Sequence, residues 1–401
     1  MRESSIIKDI KTAIPVACTF FGCVVGPALA SGTQCTVYFA QYGCWGLVTP
    51  IIFFALVFLI VYLGLDLLRA SRIYDYDGQL RVLFGKYYKF ALPINEIRNF
   101  IAFSVSLMIM YSMAGSMLAE WGLPYLAGML LVAVVSIVLT LFGGKFIRAL
   151  NTVLAIGLVV GMLIIVVLGL RAAPNSLSSL VSTWTVPDEG LFWSASWTVI
   201  VWSFTIGVSY SSGASGVAET LKTRRQVMLA SVIGVVITTV FILAGVCLCL
   251  PYCPEVISQS APFLWIISEY ISANGWIYWV YFALIFFALF SSSTVVKLVV
   301  CLRVEKLFID KKTGKYKILK NHTLRWVVIC AIISLIGIAG AQLGVITLLS
   351  QALPIVGYCA LALILLPLFI RGKKLINMYG SVVMEPGTYD IGNGIERNTT
   401  A

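Results

Sequence analysis

Charge is what this sequence lacks most. Aspartate, glutamate, lysine and arginine make up 11% of the 401 residues, and there is a single histidine. A soluble domain carries about 25% charged residues, so the composition excludes an ordinary soluble protein. The chain is 60% hydrophobic, with a mean hydropathy of +0.97, and we interpret it as an integral membrane protein.

The usual signs of catalysis are also missing. The sequence contains no His-Glu-x-x-His and no Gly-x-Ser-x-Gly motif, and no apolar segment holds two neighbouring carboxylates. It has no repeated filter-like loop and no ring of charge of the kind that channels use. We therefore expect neither an enzyme nor a channel.

Acidic residues are the scarcer sign of charge, with 17 against 28 basic residues and a net charge of +11. The basic residues cluster in short loops on alternate sides of the apolar segments, which is the positive-inside pattern. The excess therefore indicates topology and not a nucleic-acid partner. We expect both termini in the cytoplasm, a multi-pass chain in the plasma (inner) membrane, the lipid bilayer as a partner, and a monomer or homodimer.

Ten apolar segments are long enough to cross a bilayer as helices. They run approximately over residues 12–40, 44–69, 91–121, 123–142, 146–170, 191–221, 226–250, 276–304, 324–342 and 345–370. The predicted fold class is an all-α integral membrane protein. An outer linker loop, 172–190, separates five helices within 1–171 from five within 191–370. A cytoplasmic tail, 371–401, is expected to lack regular structure from Leu375 onward.

Most of the ten cysteines lie in apolar segments, where a thiol is usually a small buried hydrophobe. Five lie near outer helix ends and leave a disulfide open there: Cys35, Cys44, Cys247, Cys249 and Cys253. No histidine is near them, which disfavours a metal site.

The first apolar segment is interrupted at residues 21–32, which contain three glycines, a proline and a serine. Proline has no N–H, and each glycine costs a helix about 1 kcal/mol relative to alanine. In lipid, broken backbone is tolerated only where it is buried in protein or lines a cavity. Residues 28–30 also match the A-x-A cleavage site of a secretory signal, but further spans follow. We interpret the segment as a broken transmembrane helix.

The sixth segment contains three glycines and five serines between Trp202 and Gly216, which predicts a second interruption. Small residues could instead form a helix-packing face. The position decides, because segments one and six each open a set of five, and an odd number of helices inverts the second set. Paired interruptions of this kind point to the binding site of a transporter. We predict a 5+5 inverted repeat with helices 1 and 6 broken at the midplane.

The two breaks define the candidate site. Unwound carbonyls at helix C-termini attract cations, and helix N-termini attract anions. We expect a cation at the carbonyls of Gly22 and Val25, and a solute carboxylate on free amides at residues 30–32. The candidate substrate-binding residues line both breaks: Gly26, Ala28, Ala30, Ser31, Gly32, Phe204, Thr205, Gly207, Tyr210, Ser211 and Ser212.

These residues resemble the amino acid/polyamine/organocation superfamily of LeuT fold, and most of all its YkvI-like membrane proteins. Residues 22–26 lie where that fold has its unwound turn, and residues 204–210 resemble its second unwound stretch. Residues 291–294 look like the hydroxyl pair of its second sodium site. The resemblance implies sodium-coupled symport by alternating access, with sodium held by Gly22, Val25, Ser292 and Ser293.

The sequence departs from the YkvI-like pattern G-A-G-F-A-S-G-Q-E at residues 26–34. Ala28 replaces the second glycine, and Pro27 removes an amide that the pattern would supply. Gln34 stands where the pattern has glutamate. This chain therefore has no carboxylate at the position where a cation or proton role would be assigned.

The identity of the coupling ion depends on where the Lys297 side chain lies. No acidic or basic side chain lies in residues 12–40 or 191–218, although a proton-coupled site needs a titratable group. Lys297, four residues after Ser293, either snorkels to the cytoplasmic interface or replaces sodium as a tethered, titratable cation. We favour snorkelling, because Arg303 shows that the interface is close, and we therefore favour Na⁺.

No carboxylate lines the expected pocket, which disfavours a polyamine and favours a small amino-acid-like or zwitterionic solute. Two alternatives stay open. One is a proton-coupled or uncoupled exchanger that uses Lys297. The other is a receptor on the same scaffold that binds its solute without transporting it.

Overall fold

The computed structural model describes residues 2–141, 144–187, 191–209, 214–271, 275–305, 321–381, 388–390 and 395–397. Apolar side chains dominate these residues, and a backbone surrounded by apolar groups satisfies its N–H and C=O groups most simply as a helix. The α-helices are α1 (Arg2–Val24), α2 (Pro27–Ala30), α3 (Thr33–Tyr38), α4 (Trp45–Ser71), α5 (Tyr76–Phe84), α6 (Tyr88–Ala119), α7 (Tyr125–Leu141), α8 (Gly144–Ala172), α9 (Leu177–Ser182), α10 (Leu191–Gly207), α11 (Arg224–Cys249), α12 (Pro262–Ile266), α13 (Trp276–Glu305), α14 (His322–Ala341), α15 (Val345–Thr347), α16 (Leu353–Ala360) and α17 (Leu366–Ser381).

Short turns of other helix types connect or interrupt these helices. The 3₁₀ segments are Ala40–Tyr42, Gly85–Tyr87, Ala214–Thr220, Leu250–Tyr252 and Glu255–Ser258. The π-helical segments are Ile267–Ile271, Leu348–Ala352 and Leu361–Leu365. Two of the π segments lie in the last span, where they join α15, α16 and α17 into one continuous rod.

Each of the ten predicted spans contains one or more of these helices. Among the described residues, six stretches are long and apolar enough to cross a membrane: Trp45–Ser71, Tyr76–Ala119, Arg224–Tyr252, Trp276–Glu305, His322–Ala341 and Val345–Tyr379. Shorter apolar helices occupy three further predicted spans: Tyr125–Leu141, Ile156–Ala172 and Leu191–Gly207. The predicted all-helical membrane fold is confirmed.

The C-terminal tail differs from the prediction. α17 continues to Ser381 and does not end near residue 370, because Leu375, Ile376 and Tyr379 are buried on one face of its last turns. Beyond it, β1 (Thr388–Asp390) pairs antiparallel with β2 (Ile395–Arg397), and Thr388 lies opposite Arg397. The expectation that the chain lacks regular structure from Leu375 onward is therefore wrong for these residues.

All ten cysteines are free. Cys253 Sγ lies 3.7 Å from both Ala40 O and Cys249 O, and Cys44 Sγ lies 3.2 Å from Leu180 O. Cys44 and Cys253, two of the cysteines for which a disulfide was considered, therefore contact backbone carbonyls.

The helices pack so that the two interrupted spans lie beside each other. α1 packs along α11 and against the 3₁₀ segment Ala214–Thr220, while α3 packs against α10. α4 packs against α10 of the sixth span and against α11. We call the end of the bundle that carries the start of α1 the N-terminal end, and the opposite end, which carries α12, the distal end.

Candidate functional site

The first break lies between α1 and α2. α1 ends at Val24, Gly26 is extended (φ −89°, ψ 178°), and Pro27 is the first residue of α2. Proline suits this position because a first-turn amide has no partner within its helix. The amide of Val25 donates to Phe21 O and that of Gly26 donates to Val24 O, both at 2.8 Å. The interruption predicted from the sequence is confirmed.

A second turn follows at once and corrects the predicted amide site. Gly32 has φ +89°, and a Cβ there would lie 2.5 Å from the Phe263 ring, so the turn requires glycine. The amides of Ala30, Ser31 and Gly32 donate to carbonyl oxygens of residues 26, 27 and 29, respectively. These amides were expected to be free, and they are not, because the second half-helix begins earlier, at Pro27.

The distal side of this turn is covered by the segment that contains α12. Phe263 N donates to Ser31 O at 2.9 Å, and Thr33 Oγ1 donates to Ser260 O at 2.8 Å. Tyr281 OH donates to Ala30 O at 2.6 Å. The Ser31 hydroxyl, proposed from the sequence as a solute contact, donates to Ala28 O and lies 2.7 Å from the Thr33 hydroxyl.

Gly22 and Gly26 have space beside them. A Cβ added at either glycine would meet no atom outside its immediate chain neighbours within 4 Å. Val25 and Ala28 are buried next to them, at 6% and 8% exposure. Gly22 is exposed and Gly26 partly exposed, so the space beside the unwound backbone is open and not an enclosed cavity, whereas the distal turn at Gly32 leaves no space.

The second break is the turn at Val208, directly after α10 ends at Gly207, and the 3₁₀ segment Ala214–Thr220 lies further along the chain. Tyr210, Ser211 and Ser212 of the predicted site lie outside the described residues. A Cβ at Gly207 would lie 2.7 Å from Ile60 Cδ1, so this glycine allows α4 to approach closely.

Within the described part of the chain, three polar atoms of α10 are buried without a hydrogen-bond partner: Ser196 Oγ, Trp202 Nε1 and Thr205 Oγ1. Thr205 Oγ1 lies 3.0 Å from where a Cβ of Gly357 would be, so α16 closes over it. Buried polar atoms are nearly always bonded, and an exception deserves an explanation. A bound solute or water would provide the missing acceptor for the indole N–H.

Trp202 is also the centre of an aromatic cluster. Its ring stacks on Tyr38 and on Phe53, each with centroids 5.0 Å apart, and meets Phe39 edge-on at 5.6 Å. Tyr38 OH donates to Leu349 O at 2.7 Å, which ties the cluster to the last span. Phe204, the aromatic wall expected from the sequence, is buried at 7% exposure two residues further along α10.

The hydroxyls of the predicted cation site lie on α13, which packs against α2. Ser293 is buried, and its Oγ donates to Phe290 O at 3.1 Å, which leaves the hydroxyl oxygen able to accept or to coordinate. Ser292 is half-buried. Carbonyl and hydroxyl oxygens are the hard ligands that suit an alkali cation, so the residue types at both places fit sodium.

Lys297 does not snorkel, and that expectation is wrong. Its side chain is fully buried, and Nζ donates to Ala133 O at 2.8 Å and to Ser136 Oγ at 2.5 Å, both on α7. The ammonium also lies 5.5 Å from the centre of the Tyr111 ring. Neighbouring acceptors on α7, which the sequence of α13 does not reveal, hold this amine inside the bundle.

The N-terminal end is joined by charged groups that the sequence analysis did not single out. Asp66, 3% exposed within α4, pairs with Arg69 at 2.6 Å and with Arg224 of α11 at 3.5 Å. Asp9 of α1 accepts a bond from Gln226 of α11 at 2.9 Å. The sequence does contain a signal for Asp66, because an ionisable residue within an apolar span is a functional candidate by default.

The same signal marks Arg98 in the first half of α6, where it is 7% exposed. It belongs to a group of buried polar residues on that helix, the others being Asn95 and Asn99. The predicted span 91–121 includes all three, yet the sequence analysis assigned none of them a role.

Comparison of the sequence with protein-family models and with curated proteins gives no match. Solved structures do match. A Na⁺-coupled sialic acid symporter in a substrate-bound, outward-open state aligns with a TM-score of 0.62 and 12% identity over 90% of this chain and 79% of its own. MhsT in complex with L-phenylalanine aligns with a TM-score of 0.60 and 15% identity over 91% of this chain and 97% of its own.

A mutant of the manganese transporter of Eremococcus coleocola aligns with a TM-score of 0.56 and 14% identity, over 93% of this chain and 85% of its own. All three matched proteins are membrane transporters, and the match extends over at least 90% of this chain. Together with the interrupted first and sixth spans, these alignments show that the chain is a multi-pass membrane protein with the LeuT fold of secondary transporters.

Proposed function

We propose that this protein is a sodium-coupled symporter of a small amino-acid-like or zwitterionic solute, working by alternating access. The observation that carries the proposal is the pair of adjacent breaks, with open space beside Gly26 and unpartnered polar atoms on Trp202 and Thr205. Broken helices at corresponding positions of two repeats are where such transporters bind their solutes.

In this proposal the solute lies between the breaks. The indole N–H of Trp202 is a donor for a solute carboxylate, and the Thr205 hydroxyl suits either end of a zwitterion. Carbonyls at the end of α1, at Gly22 and Val25, together with Ser292 and Ser293, would hold the sodium ion. The positions of Ala28 and Ala30 beside the break are apolar, which favours a solute with a short side chain.

Orientation follows from the charge pattern. Basic residues concentrate at the N-terminal end, which we infer is cytoplasmic, as the positive-inside rule requires. Alternating access then means that the contacts of the distal end and the ion pairs of the N-terminal end open in turn. We infer that both termini are cytoplasmic.

The role of Lys297 separates sodium coupling from the tethered-cation alternative. Since Nζ is held by α7, we propose that Lys297 supports the scaffold and does not occupy the sodium site. The variant Lys297→Met keeps the side-chain volume and removes the charge. We expect sodium-dependent solute binding to persist in it, whereas sodium-independent binding by the natural protein that is lost in Lys297→Met would favour the tethered cation.

A ligand screen tests the proposed site. Purified protein is mixed with single amino acids and methylated amines in sodium or potassium buffer, and the thermal unfolding midpoint is recorded. We expect at least one amino-acid-like solute to raise the midpoint more in sodium. The variant Gly26→Ala adds one methyl group into the open space without backbone strain, and it should abolish the shift.

Gly275→Ala is the matched control, because a Cβ at Gly275 also meets no atom within 4 Å but lies just before α13, away from the breaks. It should keep the ligand response. If the ligand response also persists in Gly26→Ala, the solute does not bind at the first break.

A further inference from the structure

The first half of α6 contains a buried polar group that the proposed transport mechanism does not use. Asn95, Arg98 and Asn99 are spaced i, i+3 and i+4, so their side chains share one face of the helix. Their exposed fractions are 0%, 7% and 7%. Arg98 is ten residues after the start of α6, which places it about 15 Å along the helix from the N-terminal end.

The hydrogen bonds of this group leave donors unused. Arg98 Nη2 donates to Asn99 Oδ1 at 2.5 Å, and Asn95 Nδ2 donates to Ala91 O at 3.0 Å. Among the residues that the structure describes, the donors Arg98 Nε and Asn99 Nδ2 have no hydrogen-bond partner although they are buried, and neither has the acceptor Asn95 Oδ1. Since the arginine and Asn99 are bonded to each other, the two unused donors belong to one cluster.

The charge of Arg98 is also uncompensated by the described part of the chain. Glu96, two residues earlier on α6, pairs with Arg303 of α13 at 2.5 Å. Glu305, near the same end of the bundle, pairs with Arg325 and His322 of α14. No ion pair joins Arg98 to a carboxylate among the described residues, although a buried charge without a partner is strongly unfavourable.

Lys297 provides the internal comparison. It too forms no ion pair with a carboxylate among the described residues, but its ammonium has two protein acceptors on α7. Arg98 Nε has no acceptor among those residues. The difference indicates that Arg98 needs a partner from outside the described chain.

We propose that Arg98 and Asn99 form a binding site for a small monovalent anion, either a carboxylate or chloride, between the N-terminal end of the bundle and the breaks. Arg98 Nε–H and Asn99 Nδ2–H donate to the anion, and the guanidinium supplies the opposite charge. Asn95 Oδ1, an acceptor, suits a water molecule or an ammonium group that accompanies a carboxylate. The site does not depend on the identity of the transported solute.

The test measures anion binding by the solubilised full chain, without transport. Sodium chloride or sodium acetate is titrated into sodium sulfate buffer at constant ionic strength, and the thermal midpoint is followed. We expect a saturable rise. Saturation by chloride assigns a free anion site, and saturation by acetate alone assigns a carboxylate site.

Variants make the result specific. Arg98→Gln should weaken half-saturation about tenfold or more, because it removes a charged donor. Asn99→Asp places a carboxylate beside the guanidinium, so it should raise the midpoint in anion-free buffer and abolish the anion response. Lys297→Met removes another buried cation and should leave the response unchanged.

Three results would overturn the proposal. One is the absence of a saturable anion effect in the natural sequence. Another is an unchanged anion response in Arg98→Gln. The third is a lower anion-free midpoint for Asn99→Asp together with an intact response, because a carboxylate in that place should satisfy Arg98. None of these results bears on solute uptake, so the anion site and the proposed transport function fail separately.

Discussion

The two ends of the bundle are closed by different kinds of contact. At the distal end the closing groups are uncharged: the backbone bond from Phe263 to Ser31, and the stacking of Trp202 on Tyr38. At the N-terminal end they are ionic, with Asp66 facing Arg224 and Asp9 facing Gln226 and Arg225. Contacts between uncharged groups are not screened by salt, whereas the attraction in partly exposed ion pairs is screened. The two ends can therefore be weakened independently.

Removing Trp202 should have the largest effect, because it is the central ring of the distal cluster. Trp202→Ala should lower the free energy of unfolding by about 3–5 kcal/mol, the usual cost of deleting a buried tryptophan. Trp202→Phe keeps one aromatic ring and removes the indole N–H with a smaller loss of volume than alanine, so it should weaken solute binding more than stability. Chemical unfolding in detergent measures the first effect and ligand titration the second. A Trp202→Ala protein as stable as the natural one would contradict the role of the cluster.

Gly32→Ala tests the distal end at its backbone. The residue has φ +89°, and a methyl group there would press on Phe263, so we expect a loss of about 1–3 kcal/mol. In a Phe263→Ala background the contact is absent but the dihedral strain remains, so Gly32→Ala should cost less there than in the natural chain, but still destabilise it. Unfolding of both single variants and the double variant measures this. A Gly32→Ala change without any cost in the Phe263→Ala background would show that the backbone strain is negligible.

Asp66→Asn tests the N-terminal end. It leaves Arg69 and Arg224 without a carboxylate, and because Arg224 is more than half exposed we expect a loss of only about 1–2 kcal/mol. A double-mutant cycle with Arg224→Gln isolates the pair. The coupling should shrink as salt is raised, whereas the effect of Trp202→Ala should not. Equal salt dependence at both ends would remove the distinction between them.

Asp9→Asn should have the smallest effect. Arg225 lies 3.8 Å from Asp9 and its side chain is 55% exposed, so the pair contributes less than about 1 kcal/mol. Asparagine still accepts the bond from Gln226, which makes the change a test of charge alone. The salt dependence of unfolding is the measurement. A loss larger than that of Asp66→Asn would place the main N-terminal contact on α1 and not on α4.

The sequence was sufficient for the fold because its signals are local. The run Gly26-Pro27 predicts the first break at the residue where it occurs, and the spacing of the two interrupted spans predicts the inverted repeat. The aromatic and carbonyl groups around the breaks belong largely to residues of the two interrupted spans.

What failed depends on contacts between distant segments. Lys297 was expected to reach the interface, but Ala133 and Ser136 hold it, and these belong to another helix. The amides at residues 30–32 were expected to be free, but the second half-helix begins at Pro27, three residues before Ala30. Arg98 and Asp66 are visible in the sequence as charges in apolar spans. Only the structure shows that Asp66 forms ion pairs and that Arg98 forms none with the described residues.

The central claim is that the protein moves a solute by using a sodium gradient. The direct measurement is uptake of a ¹⁴C-labelled amino-acid mixture into proteoliposomes that contain the purified protein, with sodium outside and potassium inside. The account predicts accumulation above the external concentration, which collapses when a sodium ionophore is added and is absent in Gly26→Ala. Binding of the same amino acids without accumulation would contradict it and would make the protein a receptor on a transporter scaffold.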